Sequence, residues 1–226
     1  MDYFFLSNTV LFRGVRESEI QPMLNCLNAY TKKYGKGETV YREGTVVREI
    51  GLLLSGSVHV EQNDIWGNRA ILGSFGRGNI FAEAYACTPG EPLMISVTAA
   101  EDTDILFMDT RRVLTTCSSG CKFHHTLIQN LLYIMAEKNL NLTRKITHIT
   151  PKSIRNRLLS YLSFQSRKQG SFDVAVPFNR QQLADYLCVD RSALSNELGK
   201  MQGEGLLSVE KNTFHLIRHE RTVLPE

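Results

Sequence analysis

Residues 179 to 203 read NRQQLADYLCVDRSALSNELGKMQG and concentrate side chains that can hydrogen-bond to the edges of bases. Leu183, Ala184 and Leu187 share one face of a short helix. After the interval Cys188 to Asp190, Leu194, Leu198 and Met201 fall at i, i+4 and i+7 of a second. The outward face of that second helix presents Arg191, Ser192, Ser195, Asn196 and Lys200, with no bulky apolar residue among them. Arginine can grip the O6 and N7 of guanine and asparagine the N6 and N7 of adenine, while serine reaches bases or phosphates. Arg180 at the start of the first helix and Asp190, placed to cap the second, complete the candidate DNA-binding set. A solvated helix face looks the same in isolation, and it is the following sequence that separates the two. Leu206 to Val209 and Thr213 to Ile217 read as two short strands around Glu210-Lys211-Asn212, which is a wing.

A second set of reactive groups lies upstream. Cys117 and Cys121 are four apart, with His124 and His125 three and four residues further on, so one helical stripe would carry thiols and imidazoles able to bind zinc or respond to oxidation. Ser118-Ser119-Gly120 interrupts that helix, and core or hinge roles for the four residues stand beside the chemical ones. The five cysteines are odd in number, scattered and without CxxC spacing, as in a chain of reduced thiols.

These groups must be positioned by two kinds of element. From Tyr34 to about Asp109 short apolar runs alternate with glycines: Thr39 to Tyr41, Ile50 to Leu54, Ser57 to Val60, Ala70 to Leu72, Ile95 to Thr98 and Ile105 to Met108. Gly35, Gly37, Gly44, Gly56, Gly67, Gly73, Gly76 and Gly78 are expected to supply positive φ in the turns of a barrel-like β-roll. After Cys121 the period changes. Ile128, Met135, Leu142 and Ile149 recur every seven residues, and Leu132, Asn139 and Ile146 follow the first three by four, a pattern of d and a heptad positions. Ile128, Leu132, Met135, Asn139, Leu142 and Ile146 are therefore the expected dimer interface of a parallel two-stranded coiled coil, with a helix packed on its own β-domain as the alternative. Thr150-Pro151 reads as the cap and first turn of the next helix, on which Arg155 and Arg157 point away from the apolar face of Ile154, Leu158, Leu159 and Leu162. Phe172, Val174, Val176 and Phe178 alternate as a strand, and Asn179 with Gln182 forms a capping-box pattern.

The expected architecture is α+β. It comprises an N-terminal double-stranded, jelly-roll-like β-roll sensor over 1–120, a dimerisation helix over 121–149 and a winged helix-turn-helix over 150–226. Charge follows the same plan: the net is −5 over 1–110, +8 over 111–157 and 0 over 158–226. The basic middle suits phosphate attraction or a solvated helix face equally.

The chain from about Leu11 to Ile217 resembles the CRP/FNR family of transcription regulators. Gly44, Gly56 and Gly78 match its β-roll turn glycines, Phe81-Ala82-Glu83-Ala84 its ligand-cradle segment, and DRSALSNELGKM its recognition helix. The resemblance implies a dimer on a pseudo-palindromic operator in double-stranded DNA, a contact with RNA polymerase, and an effector bound in the roll. That effector site would comprise Glu83, Cys87, Leu93 and Met94, with Lys138 and Asn139 from the long helix. The cyclic-nucleotide-binding members carry Arg-Ser where this chain has Leu93-Met94. A buried phosphate would lack its countercharge, so cyclic AMP is not the expected effector. The family's usual Glu and Arg base readers correspond to Ser192 and Asn196, so a different operator is expected, while Arg191 is retained. Cys188 is read as a steric substitute in the helix-turn-helix turn.

No cofactor is expected. The family's iron–sulfur members use an N-terminal cysteine cluster where this chain has only Cys26, and His59, Cys87 and Met94 are too scattered to suggest haem. An enzyme of the cupin type would need several converging histidines, and the β region holds only His59. A DNA-coating module without regulation is the remaining rival. With no stretch of eighteen apolar residues and no basic flank before Tyr3-Phe4-Phe5-Leu6, the chain is expected to stay off membranes and in the cytoplasm.

Overall fold

The computed structural model describes residues 1–63, 69–115 and 122–217. Their contacts divide the chain into two compact units, Met1–Glu137 and Lys138–Glu226, so that the long helix belongs partly to each.

The first unit opens with helices α1 (Tyr3–Ser7) and α2 (Glu17–Cys26). Eight strands follow: β1 (Tyr30–Tyr34), β2 (Thr39–Tyr41), β3 (Glu49–Ser55), β4 (Ser57–Asn63), β5 (Arg69–Gly76), β6 (Ile80–Phe81), β7 (Ser96–Ala99) and β8 (Thr103–Asp109). Helix α3 (Glu83–Ala86) lies between β6 and β7, and α4 (Thr110–Leu114) follows β8. The strands make two antiparallel four-stranded sheets, ordered β1-β8-β3-β6 and β2-β7-β4-β5. The central strands β3 and β8 of the first sheet are buried on both faces. Leu53, Ile105 and Phe107 join Val58, Val97 and Phe81 in one core, while Ile50, Leu52, Leu106 and Met108 join Leu6, Phe12, Ile20 and Leu24 of the N-terminal segment in another. This is why β8 reads as an unbroken apolar run rather than an alternating one. Gly56 turns β3 into β4 with φ +72°, and a Cβ there would lie 2.5 Å from the carbonyl oxygen of Asp102, so both conformation and space require glycine. Gly37, Gly44 and Gly78 also have positive φ, whereas Gly35 does not and Gly73 and Gly76 lie in the extended backbone of β5; Gly67 lies outside the described residues. Strands β1 and β6 and helices α1 to α4 go beyond the elements read from the sequence.

Helix α5 (Lys122–Ile149) carries two apolar stripes. Leu127 and Leu131 are buried in the first unit's core, and the Asn130 amide donates to the carbonyls of Leu11 (2.9 Å) and Arg13 (2.8 Å), fixing the helix to its own domain. The heptad stripe lies beside it: Ile128 and Met135 are half-buried, Asn139 is exposed, and Leu132, Leu142 and Ile146 are 67%, 62% and 59% exposed. The helix is thus packed on its own β-domain, and the heptad residues lie on a different, more exposed face.

The second unit continues with α6 (Ile154–Gln169), β9 (Asp173–Ala175), α7 (Arg180–Leu187), α8 (Arg191–Gly203), β10 (Leu207–Glu210) and β11 (Thr213–Leu216). The start expected at Thr150-Pro151 shifts: Ser153 caps α6 by accepting from the Asn156 N–H (3.1 Å), and the Thr150 hydroxyl instead donates back to the Ile146 carbonyl (2.7 Å). Strands β10, β11 and β9 pair antiparallel in that order. Leu158, Tyr161, Leu162, Leu183, Leu187, Leu194, Leu198, Met201 and Phe214 form this unit's core.

Candidate nucleic-acid interface

Helices α7 and α8 are set by their caps. Asn179 accepts from the Gln182 N–H and the Gln182 side chain accepts from the Asn179 N–H, both at 2.9 Å, the reciprocal box expected from the sequence. Cys188 ends α7 in the left-handed region (φ 53°), and Val189 N–H returns to the Ala184 carbonyl at 3.0 Å. Its side chain is exposed. Asp190 then caps α8: one carboxylate oxygen accepts from the N–H groups of Ser192 (2.8 Å) and Ala193 (2.9 Å) and from the Ser192 hydroxyl. Those bonds, the Ser192 hydroxyl first, hold the Asp190 carboxyl below its ordinary pKa. A carboxylate committed to capping α8 organises the start of that helix.

Two arginines expected to point outward hold the reader together. The Arg157 guanidinium donates to the carbonyls of Pro151 (2.8 Å), Leu187 (3.1 Å) and Cys188 (3.0 Å), tying the turn between α7 and α8 to the segment before α6. Arg155 reaches Glu197 at 2.6 Å and takes both oxygens of Glu204 at 2.7 and 2.8 Å, clamping α6 to the middle and end of α8. Arg155 in turn pulls the Glu204 carboxyl below the usual carboxylate range, with a smaller contribution from Lys200. The sequence held no local sign of either clamp, since every partner but Pro151 lies 30 to 49 residues away.

On the opposite side, Arg191, Ser192, Ser195, Asn196 and Lys200 are all exposed on one face of α8. No hydrogen bond or ion pair among the described residues engages the side chains of Arg191 and Asn196. The Ser195 hydroxyl donates to the Arg191 carbonyl (3.0 Å), and a Cβ at Gly199 or Gly203 would meet nothing within 4 Å, so the end of this face is bare backbone. Arg180 is drawn inward. It stacks over the Phe214 ring with its guanidinium carbon 5.0 Å from the centroid, donates to the Lys211 carbonyl at 3.5 Å, and burial lowers its pKa. It fixes the wing against α7, while Lys211, in the left-handed region at φ 52°, is exposed at the wing tip.

The residues expected to form an effector site are differently placed. Glu83 is buried at the start of α3, directly after Ala82 at φ 63°, and Cys87 is half-buried, its thiol pushed up by burial and then by Glu83. Leu93 is 1% exposed and part of the core, Met94 is exposed, and Lys138 and Asn139 belong to the second unit. None of the four first-unit residues lines the larger cavities described. One of 620 Å³ is lined by Tyr41, Arg42, Arg48, Glu49, Asp109 and Arg111, and another of 520 Å³ by His59, Ile71 and Thr98 among others. Cys117 and Cys121 lie outside the described residues. His124 is buried, its Nδ1 without a hydrogen bond among those residues, and His125 is exposed. Among the described residues no three His, Cys, Asp or Glu converge as metal ligands, and no helix is long and apolar enough to cross a membrane.

Residues 31–119 match the cyclic nucleotide-binding domain, and residues 156–221 match the Crp-like helix-turn-helix domain. The chain belongs to the CRP/FNR family of transcription regulators. Among its relatives, the CRP-like cAMP-activated global transcriptional regulator of Mycobacterium tuberculosis is 21% identical over 217 residues, 96% of each chain. The cyclic AMP receptor protein of Thermus thermophilus is 23% identical over 211 residues, 93% of this chain and 94% of that one. The c-di-GMP responsive global regulator CLP of Xanthomonas campestris shares the fold with a TM-score of 0.54 at 18% identity, over 90% of this chain and all of that one. As a CRP/FNR regulator, this protein binds DNA through its helix-turn-helix, whose second helix is α8.

Proposed function

We propose that this CRP/FNR protein acts in the cytoplasm as a homodimer on a pseudo-palindromic operator, gated by a small-molecule effector in the β-roll and working on RNA polymerase, with no enzymatic activity and no cofactor of its own. The observation that carries the reading is the pairing of two exposed faces. Leu132, Leu142 and Ile146 on α5 leave an apolar ridge that a second copy would cover, with the Asn139 side chains meeting across the twofold in one register. Two copies of α8 would then each offer Arg191, Asn196 and Lys200 to a major groove.

Cyclic AMP is not the gating ligand in this reading. The Leu93 side chain occupies the core, and Met94 brings no positive charge, so the position that would balance a buried phosphate is apolar. Calorimetry with cyclic AMP is expected to show no binding in the micromolar range. The central test is selection of sites from random DNA with the full-length protein, combined with its sedimentation. A dimer enriching one inverted repeat supports the proposal. A monomer that shifts promoter and random fragments equally, in a salt-dependent manner, would establish the unspecific DNA-coating module instead.

A further inference from the structure

A hydroxyl group has one proton to give and two lone pairs that receive. At Ser192 the proton is already directed at Asp190, on the oxygen that also caps α8 through the N–H groups of Ser192 and Ala193. The carboxylate is fixed by those two backbone bonds, and a hydroxyl bond to an ionised oxygen is about twice as strong as one between neutral groups. Turning the Ser192 proton toward DNA would give up that bond. Ser192 nonetheless remains exposed, in the first turn of α8 and next to Arg191.

We propose that Asp190 makes Ser192 an acceptor-only reader, so that Ser192 selects an amino base, adenine or cytosine, over a keto base, guanine or thymine, at one position of each half-site. In the major groove the only donors are the N6 amine of adenine and the N4 amine of cytosine, whereas guanine and thymine show acceptors and, for thymine, a methyl group. Every base pair carries one such amine, so the discrimination is one of orientation: A·T over T·A and C·G over G·C on the strand that Ser192 faces. The same logic removes Ser192 from the phosphate contacts, because phosphate oxygens only accept. Its neighbour reads the opposite code, since the Arg191 guanidinium has donors alone. The structure thereby assigns a specificity role to Asp190, which itself need not touch DNA. This assignment rests on α8 entering the major groove as proposed above.

The experiment is a site selection with the full-length wild-type protein, Ser192→Ala and Asp190→Asn, the last keeping an acceptor for the two cap N–H groups while removing the charge. One half-site position should require A or C with the wild type, lose that requirement in Ser192→Ala, and loosen in Asp190→Asn. Operators are then made with the amine at that position replaced by hydrogen, as purine for adenine or pyrimidin-2-one for cytosine. The wild type should bind these roughly tenfold more weakly, and Ser192→Ala should bind both operators equally. Selection of G or T at the Ser192-dependent position, no position changing in Ser192→Ala, or an equal loss in both proteins on deleting the amine would each overturn the assignment. A wild-type protein that enriches no inverted repeat would instead take down the operator reading and this assignment with it.

Discussion

The reader and the roll solve the same problem, holding polar groups in place, in opposite ways. In the second unit the polar groups fall into two classes. Arg155, Arg157, Arg180 and Asp190 are bound to backbone, carboxylates or a ring inside the module, and Arg191 and Asn196 face outward with no such engagement. In the first unit one cavity mixes both signs: it is lined by Arg42, Arg48 and Arg111 together with Glu49 and Asp109, and Arg111 is itself paired with Asp109 at 2.8 Å. A surface that reads one partner of known charge can separate its structural cations from its binding cations. A cavity lined by both signs shows no such division.

The largest expected effect tests whether two readers are needed. Placing aspartate at Leu132 and Leu142 together puts like charges across the proposed twofold while leaving Leu127 and Leu131 in their core. The variant should sediment as a monomer, keep its circular dichroism, and lose about 100-fold or more in operator affinity with the loss of bivalent binding. Dimers surviving this change would relocate the interface. Next in size is Arg191→Ala, expected to cost about 1–3 kcal/mol of operator binding and to relax one base position. If the loss is instead equal on every sequence tested, Arg191 contacts phosphate, and the outward class contains fewer base readers than its exposure implies.

The difference between the two units is also a difference in what the sequence discloses. The reader was legible because its chemistry lies on one helix, where Leu194, Leu198 and Met201 at helical spacing fix by elimination which residues face out. The capping box at Asn179 and the two wing strands were equally local. By contrast β1 hid behind Thr31, Lys32 and Lys33, which are exposed along an edge strand whose pairing with β8 no nearby residue announces. The start of α6 differs from the expected one because Thr-Pro and Lys-Ser offer two adjacent cap signals, and the bonds of the Thr150 N–H and hydroxyl to the Ile146 carbonyl show that the first belongs to the preceding helix. The clamps of Arg155 and Arg157 and the cavities of the roll depend on residues brought together from distant strands and helices. Periodicity carries no information about such meetings.

Within the reader, the clamps should yield smaller effects than the outward residues. Arg155→Ala should lower the melting temperature of the second unit and weaken operator binding while leaving base preferences intact, since α8 loses its tether to α6 but keeps its face. The pH dependence separates this from general damage. The folded Glu204 carboxyl lies below its ordinary value of 4.5, so the pair contributes stability above that pH and loses it as pH falls through the lowered value. An acid limb in the wild-type stability curve that is reduced in Arg155→Ala fits the clamp, and an unchanged limb would assign it to other carboxylates.

The smallest effect concerns His148, in the last turn of α5. It is buried among the rings of Tyr161, Phe164 and Tyr186, with Nδ1 3.0 Å from the Ser160 hydroxyl and Nε2 without a hydrogen bond among the described residues. Arg144 and Lys145 lie over the outer rings of this cluster, so both charged neighbours are cations. Burial lowers the His148 pKa below its ordinary 6.5. The unfolded chain therefore binds the proton more readily, and stability falls as pH drops below about 6.5 until the folded value is passed. His148→Phe keeps an aromatic ring in the box and lets the Ser160 hydroxyl turn to a carbonyl of its own helix. Its stability should lose the dependence between pH 6.5 and the lower folded value, read as a flatter melting temperature against pH. A histidine slope that survives the substitution would trace to another histidine, and the junction between the long helix and the reader would be insensitive to protons.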